Sequence, residues 1–498
     1  MSNKIIFINN RLLSESKDIV FCYGHFNLIH PGHIRYLQHA KTLADKLVVV
    51  LTSDAELDSR VKSHFSEKER AESVANLQIV DNVIVLNNLT FEKLIQTIKP
   101  KVLVLGKEFE QQQSEQIGLA IKEAKKQGKV IFHAGETHYA TTNLFHGNVI
   151  DIESDSIRKF NTICKNYKIT LANLEDRIKS FSNSKILVIG DTIVDNYVAC
   201  DALGMSAEAP VLVVKELENR EFIGGAAIVA SHVKALGAEC HYISVVGKDN
   251  QAKKVSEALK EQDINIDLCV DESRPTTYKT RYMVENQKLF RVSKIKEHKV
   301  SKNIEQKIIE KLINLAPNID GILVSDFVYG TITSNILDTI LKLSKEFGIK
   351  LYGDIQCSSQ VGKVTQFNGF DLITPTEKEA RIALDDNESG IEWLANTLLR
   401  RTKSKNMLIK LGADGFIAYG NDKFTDRQDF PALTVNPVDV AGAGDSLFAV
   451  MSVCLSSGSS LVEASLIGSC MASLAVKEVG NNPISKNKLS AYIKKILN

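Results

Sequence analysis

The stretch Val438-Asp439-Val440-Ala441-Gly442-Ala443-Gly444-Asp445-Ser446 decides how the second half of this chain is interpreted. The small residues Gly442, Ala443 and Gly444 leave backbone N–H groups uncovered, and the apolar residues 446–454 are typical of a buried helix. A helix N-terminus favours anions because its first N–H groups are unpaired and its dipole is positive there. Asp445 is then a carboxylate in a site built for negative charge. The stretch predicts either a phosphoryl-transfer site with Asp445 as its base, or a glycine-rich turn with an ordinary acidic first helical turn.

Composition narrows the classes of protein to which this chain can belong. Its 498 residues suggest roughly two to four domains. With 61 Lys+Arg and 60 Asp+Glu the formal net charge is +1, so no global field recruits nucleic acid or an anionic membrane. One Trp gives no stacking platform for single-stranded nucleic acid. No segment approaches about 18 uninterrupted apolar residues, and no signal-peptide pattern opens the sequence. The eight cysteines include no CxxC pair, which favours reduced thiols in a cytoplasmic protein.

The first 132 residues alternate between short apolar segments and helical patterns. Strand-like segments are predicted at 18–23, 47–51, 83–86, 102–105 and 130–132, and helices at 34–46, 66–77, 91–98 and 115–127. This alternation predicts a parallel sheet with crossover helices. Ligands of such sheets bind at the carboxyl ends of the strands.

A histidine-rich turn, Gly24-His25-Phe26-Asn27-Leu28-Ile29-His30-Pro31-Gly32-His33, follows the first predicted strand. Pro31 presets the start of a helix, so His30 and His33 can both point at one phosphate at the helix N-terminus. Two imidazoles there would donate hydrogen bonds as negative charge develops. The alternatives from the residues alone are a metal-binding pair or incidental surface histidines.

This turn resembles the GxFDxxHxGH signature of the cytidylyltransferase-like nucleotidyltransferases, and the resemblance extends over about residues 18–145. It implies that His30 and His33 stabilise the transition state at the α-phosphate of the incoming nucleotide. It also implies a set of nucleotide contacts: the backbone near Gly24 and Phe26, the basic residues Lys62 and Arg70, and the hydroxyl donors Thr141 and Thr142. Asn27 departs from the Asp of the common pattern.

The residue pattern and the resemblance together predict three parts of the chain. We expect a nucleotidyltransferase-like domain over 1–146, as the resemblance implies, a helical linker over 147–184, and a second module over 185–498. Within the linker, apolar residues recur at helical spacing, which favours a docking helix over a disordered tether. These residues are Leu171, Leu174, Ile178 and Phe181.

The second module again alternates strands and helices. Residues 185–191 are a predicted buried strand that ends at Gly190 and Asp191. Residues 209–214 and 276–284 alternate like strands of a small sheet that projects over the site, and a glycine pair at 224–225 opens a predicted helix. Asp326 and Asp354 end two further predicted strands, where each is either a helix cap or part of a site.

Residues 185–495, approximately, resemble the ribokinase-type (PfkB) sugar kinases. The resemblance implies an anion hole at Gly442, Ala443 and Gly444, with Asp445 as the base that deprotonates the attacking sugar hydroxyl. It implies that Glu379 organises Mg²⁺ through water, and that ATP is the donor. The implied nucleotide-binding residues are Lys410, Gly412 and Gly415, and the implied sugar-binding residues include Asp191, Asp195, Gly224 and Gly225.

Within that family, Lys279, Arg281 and Arg291 most resemble the heptose-7-phosphate kinase branch, where they are implied sugar contacts. That branch is commonly fused to a heptose-1-phosphate adenylyltransferase with the same histidine signature. The resemblance therefore implies a bifunctional enzyme of lipopolysaccharide core synthesis, here with the transferase first. The implied fold is a Rossmann-like α/β domain followed by a ribokinase-like α/β domain with a small β-sheet lid, through which the chain would form a homodimer.

Four positions depart from the family pattern. Ile228 and Thr376 replace asparagines, Gln356 replaces a lysine and Gly204 replaces an arginine. Losing a phosphate-binding cation from a closed site weakens binding through lost charge-assisted hydrogen bonds. Two alternatives follow: a transferase that uses CTP or another nucleotide on a different sugar or polyol phosphate, or an active transferase joined to a silent kinase-like binding module.

Overall fold

The structure is a computed structural model, and it describes residues 4–6, 18–26, 29, 31–54, 65–86, 90–106, 109, 115–133, 149–284, 287–357, 362–420, 427–434 and 436–497. The lists of strands and helices below cover these residues. The chain divides into two units, residues 1–148 with 385–396, and residues 149–384 with 397–498.

The first unit is a parallel sheet with helices. Its strands are β1 (Ile5–Ile6), β2 (Ile19–Gly24), β3 (Lys46–Leu51), β4 (Asn82–Val85), β5 (Val102–Gly106) and β6 (Lys129–His133). Its helices are α1 (Pro31–Lys41), α2 (Glu67–Ala75), α3 (Phe91–Ile98) and α4 (Glu115–Gln127). The strand order is β1-β4-β3-β2-β5-β6 with every pairing parallel.

The order of strands in this unit reverses beside β2. The chain runs outward from β2 through β3 to one edge and through β5 to the other, so β2 borders the point where the strand order reverses. Ligands of open α/β sheets bind at such a point, outside the carboxyl ends of the strands. The histidine-rich turn leaves β2 at this end. The predicted parallel α/β fold is confirmed here.

The second unit is built on a longer sheet. The strands of this unit are β7 (Lys185–Met205), β8 (Leu212–Gly225), β9 (Glu239–Val246), β10 (Asn265–Val270), β11 (Thr277–Val284), β12 (Gln287–Lys294), β13 (Gly321–Asp326), β14 (Lys350–Ile355), β15 (Leu372–Ile373), β16 (Asn406–Lys410), β17 (Phe416–Gly420) and β18 (Gln428–Phe430). The strand order of the long sheet is β10-β9-β7-β13-β14-β15-β16-β17-β18. The pairings from β10 to β16 are parallel, and the last two are antiparallel.

The remaining helices belong to the second unit, except that residues 391–396 at the start of α12 fall in the first unit. They are α5 (Val149–Asn166), α6 (Leu171–Ser180), α7 (Ala226–Ala235), α8 (Asn250–Glu261), α9 (Lys302–Leu315), α10 (Ser334–Phe347), α11 (Glu377–Leu384), α12 (Ile391–Thr402), α13 (Ala443–Ser456), α14 (Leu461–Ala475) and α15 (Lys486–Leu497). Helices α13 and α14 are apolar around most of their circumference because they lie inside the core. The predicted linker contributes α5 and α6; Phe160 of α5, Leu174 of α6 and Phe181, which directly follows α6, are buried in the same core.

Strand β7 serves two sheets. Residues up to Asp191 pair with β9 and β13 in the long sheet, while residues from Thr192 onward pair with β8 and β11. Strand β12 then pairs with β11, which gives a small sheet in the order β8-β7-β11-β12. We call this small sheet the lid. It confirms the predicted lid, although β8 extends to Gly225, well beyond the predicted residues 209–214.

Candidate active sites

The first candidate site begins where β2 ends. Phe26 has a left-handed φ of 47° and is buried, and its ring centroid lies 4.8 Å from that of His33 in α1. A Cβ at Gly24 would lie 3.0 Å from the Phe26 ring, so the strand needs a small residue there. The Phe26 ring therefore packs against the imidazole that the sequence assigns to the nucleotide phosphate. His30, Lys62, Thr141 and Thr142 lie outside the described residues.

Arg70 is buried and binds backbone and side-chain oxygens near the end of β2. Its side chain is 1% exposed, and it donates to the His25 carbonyl at 2.6 Å, the Thr52 carbonyl at 2.9 Å and Asp54 Oδ1 at 2.8 Å. These acceptors follow β2 and β3, so Arg70 ties together the two strand ends. Arg70 therefore positions the turn after β2, and its predicted contact with the nucleotide stays a prediction.

His25 is a neighbour that the sequence reasoning left without a role. Burial and the nearby Arg70 charge lower the pKa of its imidazole, which favours the neutral form. Its Nδ1 is buried and receives no hydrogen bond from the described part of the chain. The burial of His25 could not be recognised from the sequence, because Arg70, which lies beside it in the fold, is 45 residues away along the chain.

The second candidate site is centred on the start of α13. Gly442 precedes the helix with a left-handed φ of 78°, and a Cβ there would lie 2.2 Å from Asn481 Oδ1. Asp445 lies in the first helical turn and is 7% exposed. Its Oδ1 accepts a hydrogen bond from Gln356 Nε2 at 2.7 Å. The glycine-rich turn therefore presents a buried carboxyl beside uncovered amides, as the phosphoryl-transfer interpretation requires.

The surroundings of Asp445 raise its pKa to about 7. Burial is the largest cause, and the negative charges of Asp354 and Asp195 add to it. Lys410 and the hydrogen bond from Gln356 act in the opposite direction. A carboxyl whose pKa lies near neutrality can accept a proton and release it again, which suits a general base.

Lys410 brings a positive charge to the same turn. Its Nζ lies 2.6 Å from Asp354 Oδ1 and would lie 3.6 Å from a Cβ on Gly444. Burial lowers the pKa of this ammonium, but the charges of Asp354 and Glu379 outweigh burial and raise it. Lys410 therefore stays charged beside the anion-binding turn. Asp354 also accepts from Thr374 Oγ1 at 2.5 Å, so it is part of the site as well as the end of a strand.

Glu379 fits an indirect role toward a metal ion. Its oxygens accept from the Thr376 N–H at 2.7 Å and the Cys357 N–H at 3.2 Å, while its own N–H donates to Thr376 Oγ1 at 3.2 Å. Thr376 thus caps α11 although it replaces the family asparagine. The described residues contain no cluster of three metal-ligating side chains. Mg²⁺ commonly keeps several waters and binds through one or two carboxylates plus substrate phosphates, so Glu379 and Asp354 fit a nucleotide-bound Mg²⁺.

The two predicted sugar carboxylates occupy different environments. Asp191 accepts from the N–H groups of Phe327, Tyr329 and Thr331 at 2.9 to 3.3 Å, so it holds the loop after β13. Burial raises the pKa of Asp191, and burial together with the Asp191 charge raises that of Asp326 to about 7. This carboxyl pair was not predicted, because Asp326 lies 135 residues along the chain from Asp191.

Asp195 is held by side chains instead. Arg281 Nη1 donates to its Oδ1, and Asn481 Nδ2 donates to its Oδ2 at 3.2 Å. A Cβ at Gly224 would lie 2.3 Å from Asp195 Oδ2, which explains the glycine. A Cβ at Gly225 would likewise lie 2.4 Å from the Asp191 carbonyl.

Lys279 and Arg291 lie on the lid at different depths. Lys279 is 3% exposed, with Nζ 5.3 Å from the Phe327 ring centroid and 5.2 Å from that of Tyr329. Arg291 is exposed and lies opposite Arg281 across the β11–β12 pair. The structure thus brings Lys279 and Arg281 to the site and leaves Arg291 at the surface of the lid.

The remaining predicted residues shape the backbone or lie away from the turn. Gly412 and Gly415 form the bend between β16 and β17, where both have left-handed φ values and a Cβ at Gly415 would lie 2.1 Å from the Phe430 carbonyl. Ile228 is buried in α7. Gly204 is exposed on the lid, with nothing within 4 Å of a built Cβ. None of the helices in the described ranges is long and apolar enough to cross a membrane.

Two curated relatives of this chain are named as bifunctional proteins. The chain is 29% identical over 319 residues to the bifunctional protein HldE of Sulfurimonas denitrificans, covering 63% of this chain and 65% of that protein. It is 32% identical over 326 residues to the bifunctional protein HldE of Campylobacter fetus, covering 63% of this chain and 68% of that protein. The chain thus spans about two thirds of these curated relatives, and slightly less for the first.

Solved structures resemble this one in fold. Phosphofructokinase-2 from Escherichia coli superposes with a TM-score of 0.54 at 14% identity, over 63% of this chain and all of that one. Ribokinase from Arabidopsis thaliana, complexed with ribose and ATP, gives a TM-score of 0.50 at 19% identity, over 62% of this chain and 99% of that one. At these identities the likeness confirms the ribokinase-like fold alone.

Family models match both halves of the sequence. Residues 21–228 match the cytidylyltransferase-like model, and residues 183–487 match the model of the pfkB family carbohydrate kinases. The second match covers more than half of the 498 residues. With the fold, the glycine-rich turn and the buried Asp445 in agreement, this chain belongs to the pfkB family of carbohydrate kinases.

Proposed function

We propose that this chain is a bifunctional enzyme of ADP-heptose synthesis for the lipopolysaccharide core. The second unit phosphorylates heptose 7-phosphate with ATP to give heptose 1,7-bisphosphate. The first unit joins heptose 1-phosphate to the AMP moiety of ATP and releases pyrophosphate. The observation that carries the proposal is Asp445, a buried carboxyl with a pKa of about 7 at the glycine-rich helix start.

In the proposed kinase reaction, Asp445 accepts the proton of the attacking sugar hydroxyl. The hydroxyl oxygen forms a bond to the γ-phosphorus, the bond from that phosphorus to the β–γ bridging oxygen breaks, and ADP leaves. The amides of Gly442–Gly444 and the Lys410 ammonium stabilise the negative charge of the transferring group. Mg²⁺ bound with the nucleotide would neutralise phosphate charge, with Glu379 and Asp354 as the residues that hold its hydration shell.

The charge of Lys279 supports a phosphorylated sugar over a neutral one. The Lys279 residue is 3% exposed, and its ammonium lies over two aromatic rings without a hydrogen bond or ion pair to the described residues. The faces of Phe327 and Tyr329 compensate only part of the lost hydration. An anionic group on the substrate would complete the compensation, so we assign Lys279 to the sugar phosphate.

The transferase assignment rests on the first unit and on the relatives. Phe26 packs against His33 at the carboxyl end of β2, where nucleotides bind in open α/β sheets. The relatives are named bifunctional, and their alignments stop at about two thirds of either chain. We propose that the two domains stand in the opposite order in those relatives, since a collinear alignment can then include only one of them.

We further propose a cytoplasmic homodimer that associates through the lid. Large apolar side chains are exposed on this small sheet and the turn within it, and such patches mark association surfaces. They are Leu203, Met205, Val211, Leu212, Val213, Leu217, Phe290 and Val292. Nucleotide donors made in the cytoplasm and a reduced cysteine set agree with that compartment.

Release of ADP tests the kinase assignment. With purified full-length protein, ATP, Mg²⁺ and heptose 7-phosphate, Asp445→Asn should lower kcat by about 10²-fold or more, since a positioned base contributes that much. Asp338→Asn, at an exposed carboxylate of α10, should keep the parent rate. An Asp445→Asn enzyme as fast as the parent removes the base assignment, and a parent inactive on all sugar phosphates favours the silent-kinase alternative.

Release of pyrophosphate tests the transferase assignment separately. Heptose 1-phosphate should be used best with ATP when ATP, CTP and GTP are compared, and His33→Ala should lower kcat with each of them. CTP as the clear best donor, or a polyol phosphate as the best acceptor, would replace this assignment with the second alternative.

A further inference from the structure

Asn481 lies between the sugar side and the catalytic turn of the second unit. It belongs to the segment between α14 and α15, and its side chain is 8% exposed. Its Nδ2 donates to Asp195 Oδ2 at 3.2 Å and would lie 3.4 Å from a Cβ on Gly224. A Cβ on Gly442 would lie 2.2 Å from its Oδ1. One amide thus touches a predicted sugar carboxylate, the glycine pair before α7 and the turn before Asp445.

Chemistry fixes which end of the amide faces which neighbour. An ionised carboxylate only accepts hydrogen bonds, so the amide must turn its NH₂ group toward Asp195. The oxygen then points to the Gly442 side. The hydrogen bond to Asp195 therefore determines the orientation of the Asn481 amide.

Among the described residues, the amide oxygen has no hydrogen-bond donor. Asn481 Oδ1 is fully buried, and no described residue donates a hydrogen bond to it. Buried polar atoms in folded proteins are normally paired, and an exception calls for a ligand or another specific cause. The groups around this oxygen belong to the proposed kinase site, so the fitting donor is a hydroxyl group of the bound sugar.

Ile228 indicates why such an amide is needed here. It is the third residue of α7, and it stands where the family pattern has an asparagine. A buried isoleucine cannot form a hydrogen bond with a sugar. Asn481 approaches the start of the same helix at Gly224 from a distant part of the chain.

We propose that Asn481 Oδ1 accepts a hydrogen bond from one hydroxyl of the sugar substrate, in place of the amide missing at position 228. Asn481 is thus a specificity-determining residue of the kinase reaction. This inference rests on the proposed kinase function of the second unit, and it names a contact that this function does not itself require.

Deoxy analogues separate substrate contact from support of Asp195. With the full-length protein, ATP and Mg²⁺, kcat/KM is measured for heptose 7-phosphate and for its single-deoxy analogues. For the parent enzyme, kcat/KM should be roughly tenfold lower for one analogue than for heptose 7-phosphate, as expected for a missing hydrogen bond to a buried group. For the Asn481→Ala enzyme, the kcat/KM values for heptose 7-phosphate and for that analogue should agree within twofold. The neighbouring Asn482→Ala, at an exposed side chain, should retain the tenfold discrimination.

A purely supporting role predicts a different pattern. If Asn481 only orients Asp195, then Asn481→Ala lowers kcat/KM by the same factor for every sugar, and the loss on the deoxy analogue persists. That outcome overturns the inference. Thermal melting confirms that the variant is folded, and Asn481→Ser provides a second variant with a shortened side chain if Asn481→Ala does not fold.

Binding distinguishes failure of this inference from failure of the proposed function. Stabilisation of the protein by each sugar phosphate is measured by thermal melting, which requires no turnover. A parent protein that binds the sugar, together with an Asn481→Ala variant that keeps its discrimination between sugar and deoxy analogue, overturns this inference alone. A parent that neither binds nor phosphorylates any sugar phosphate overturns both.

Discussion

Asp445 and Gln356 form a pair whose properties follow from the replacement of a family lysine. Gln356 Nε2 donates to Asp445 Oδ1 at 2.7 Å and lies 3.4 Å from Asp354 Oδ2. A lysine at this position would add a full positive charge beside both carboxyls and lower their pKa values further. The neutral glutamine leaves Lys410 to counter the negative charges of Asp354 and Asp195, so the pKa of Asp445 stays at about 7.

The rate of sugar phosphorylation should therefore rise with pH and level off above about pH 7. The base works only when ionised, and the pKa of Asp445 in the free enzyme is raised to about 7. The hydrogen bond from Gln356 lowers that pKa, so Gln356→Met should move the midpoint to higher pH. The measurement is kcat/KM for the sugar phosphate between pH 5 and 9, which reports groups of the free enzyme.

Two results would contradict this assignment. The first is a midpoint below pH 5, since Asp445 would then have an ordinary carboxyl pKa. The second is the same midpoint in Gln356→Met as in the parent. Asp338→Asn, remote from the turn, should leave the profile unchanged.

At the scale of elements, the lid is tied to the catalytic turn through Asp439. Tyr197 on β7 donates to Asp439 Oδ2 at 2.8 Å, and Lys288 on β12 lies 3.0 Å from Oδ1. The Gly480 N–H also donates to Oδ2 at 3.2 Å. Burial opposes ionisation of Asp439, but the hydrogen bonds from the Ala441 N–H, Lys288 and Tyr197 outweigh it and lower its pKa. Asp439 is therefore ionised, and it joins the lid to the glycine-rich turn.

Tyr197→Phe should destabilise the fold more than Lys288→Met. Removing the buried Tyr197 hydroxyl leaves one carboxylate oxygen short of a donor, which costs about 2 kcal/mol of unfolding free energy. The Lys288 side chain is 42% exposed, so water screens its ion pair and the loss should be below about 1 kcal/mol. Urea unfolding at two salt concentrations measures both values.

Tyr282→Phe on β11 is the matched control, because the Tyr282 hydroxyl forms no hydrogen bond within the described residues. Equal losses for Tyr197→Phe and Tyr282→Phe would refute the anchor. A large, salt-independent loss for Lys288→Met would show that the ion pair is stronger than its exposure suggests.

The elements themselves were predictable to different degrees. The bounds of α3 and α4 follow from apolar periodicity and agree with the predicted residues 91–98 and 115–127. Helix α1 was predicted at 34–46 but spans Pro31–Lys41, because Pro31 begins it and Lys46 pairs with Ile19 in the sheet. Much of β8 was missed since its residues 215–220 are mostly charged. A strand of an exposed lid has no buried face to produce alternation.

At the scale of the whole molecule, the second site is assembled from distant segments. Asp195 and Asn481 are 286 residues apart, and Tyr197 and Asp439 are 242 apart. Sequence motifs predict residues whose neighbours are local, such as the turn around Asp445. They do not identify partners brought together only by the long sheet. Only the structure therefore shows the contacts of Asn481, the hydrogen bond from Gln356 and the proximity of Asp191 to Asp326.

The exposed side of the lid leads to a prediction about assembly. Leu217 on β8 is 62% exposed, and Leu203, Met205 and Phe290 on the same sheet are also exposed. A row of large apolar side chains in water is unfavourable, and a second copy would cover it. We expect the protein to be a dimer and Leu217→Lys to shift it toward monomer, because each dimer interface would then bury an unpaired charge.

Sedimentation velocity over a concentration series measures this shift. Ile313→Lys is the matched control, since Ile313 is an exposed apolar residue of α9, outside the lid. It should sediment as the parent does, while Leu217→Lys dissociates at concentrations where the parent stays dimeric. A parent that is monomeric throughout, or a control that dissociates equally, would assign the exposed apolar side chains of the lid to something other than self-association. Because the lid also holds Lys279 and Arg281, dissociation should raise the KM for the sugar phosphate more than that for ATP.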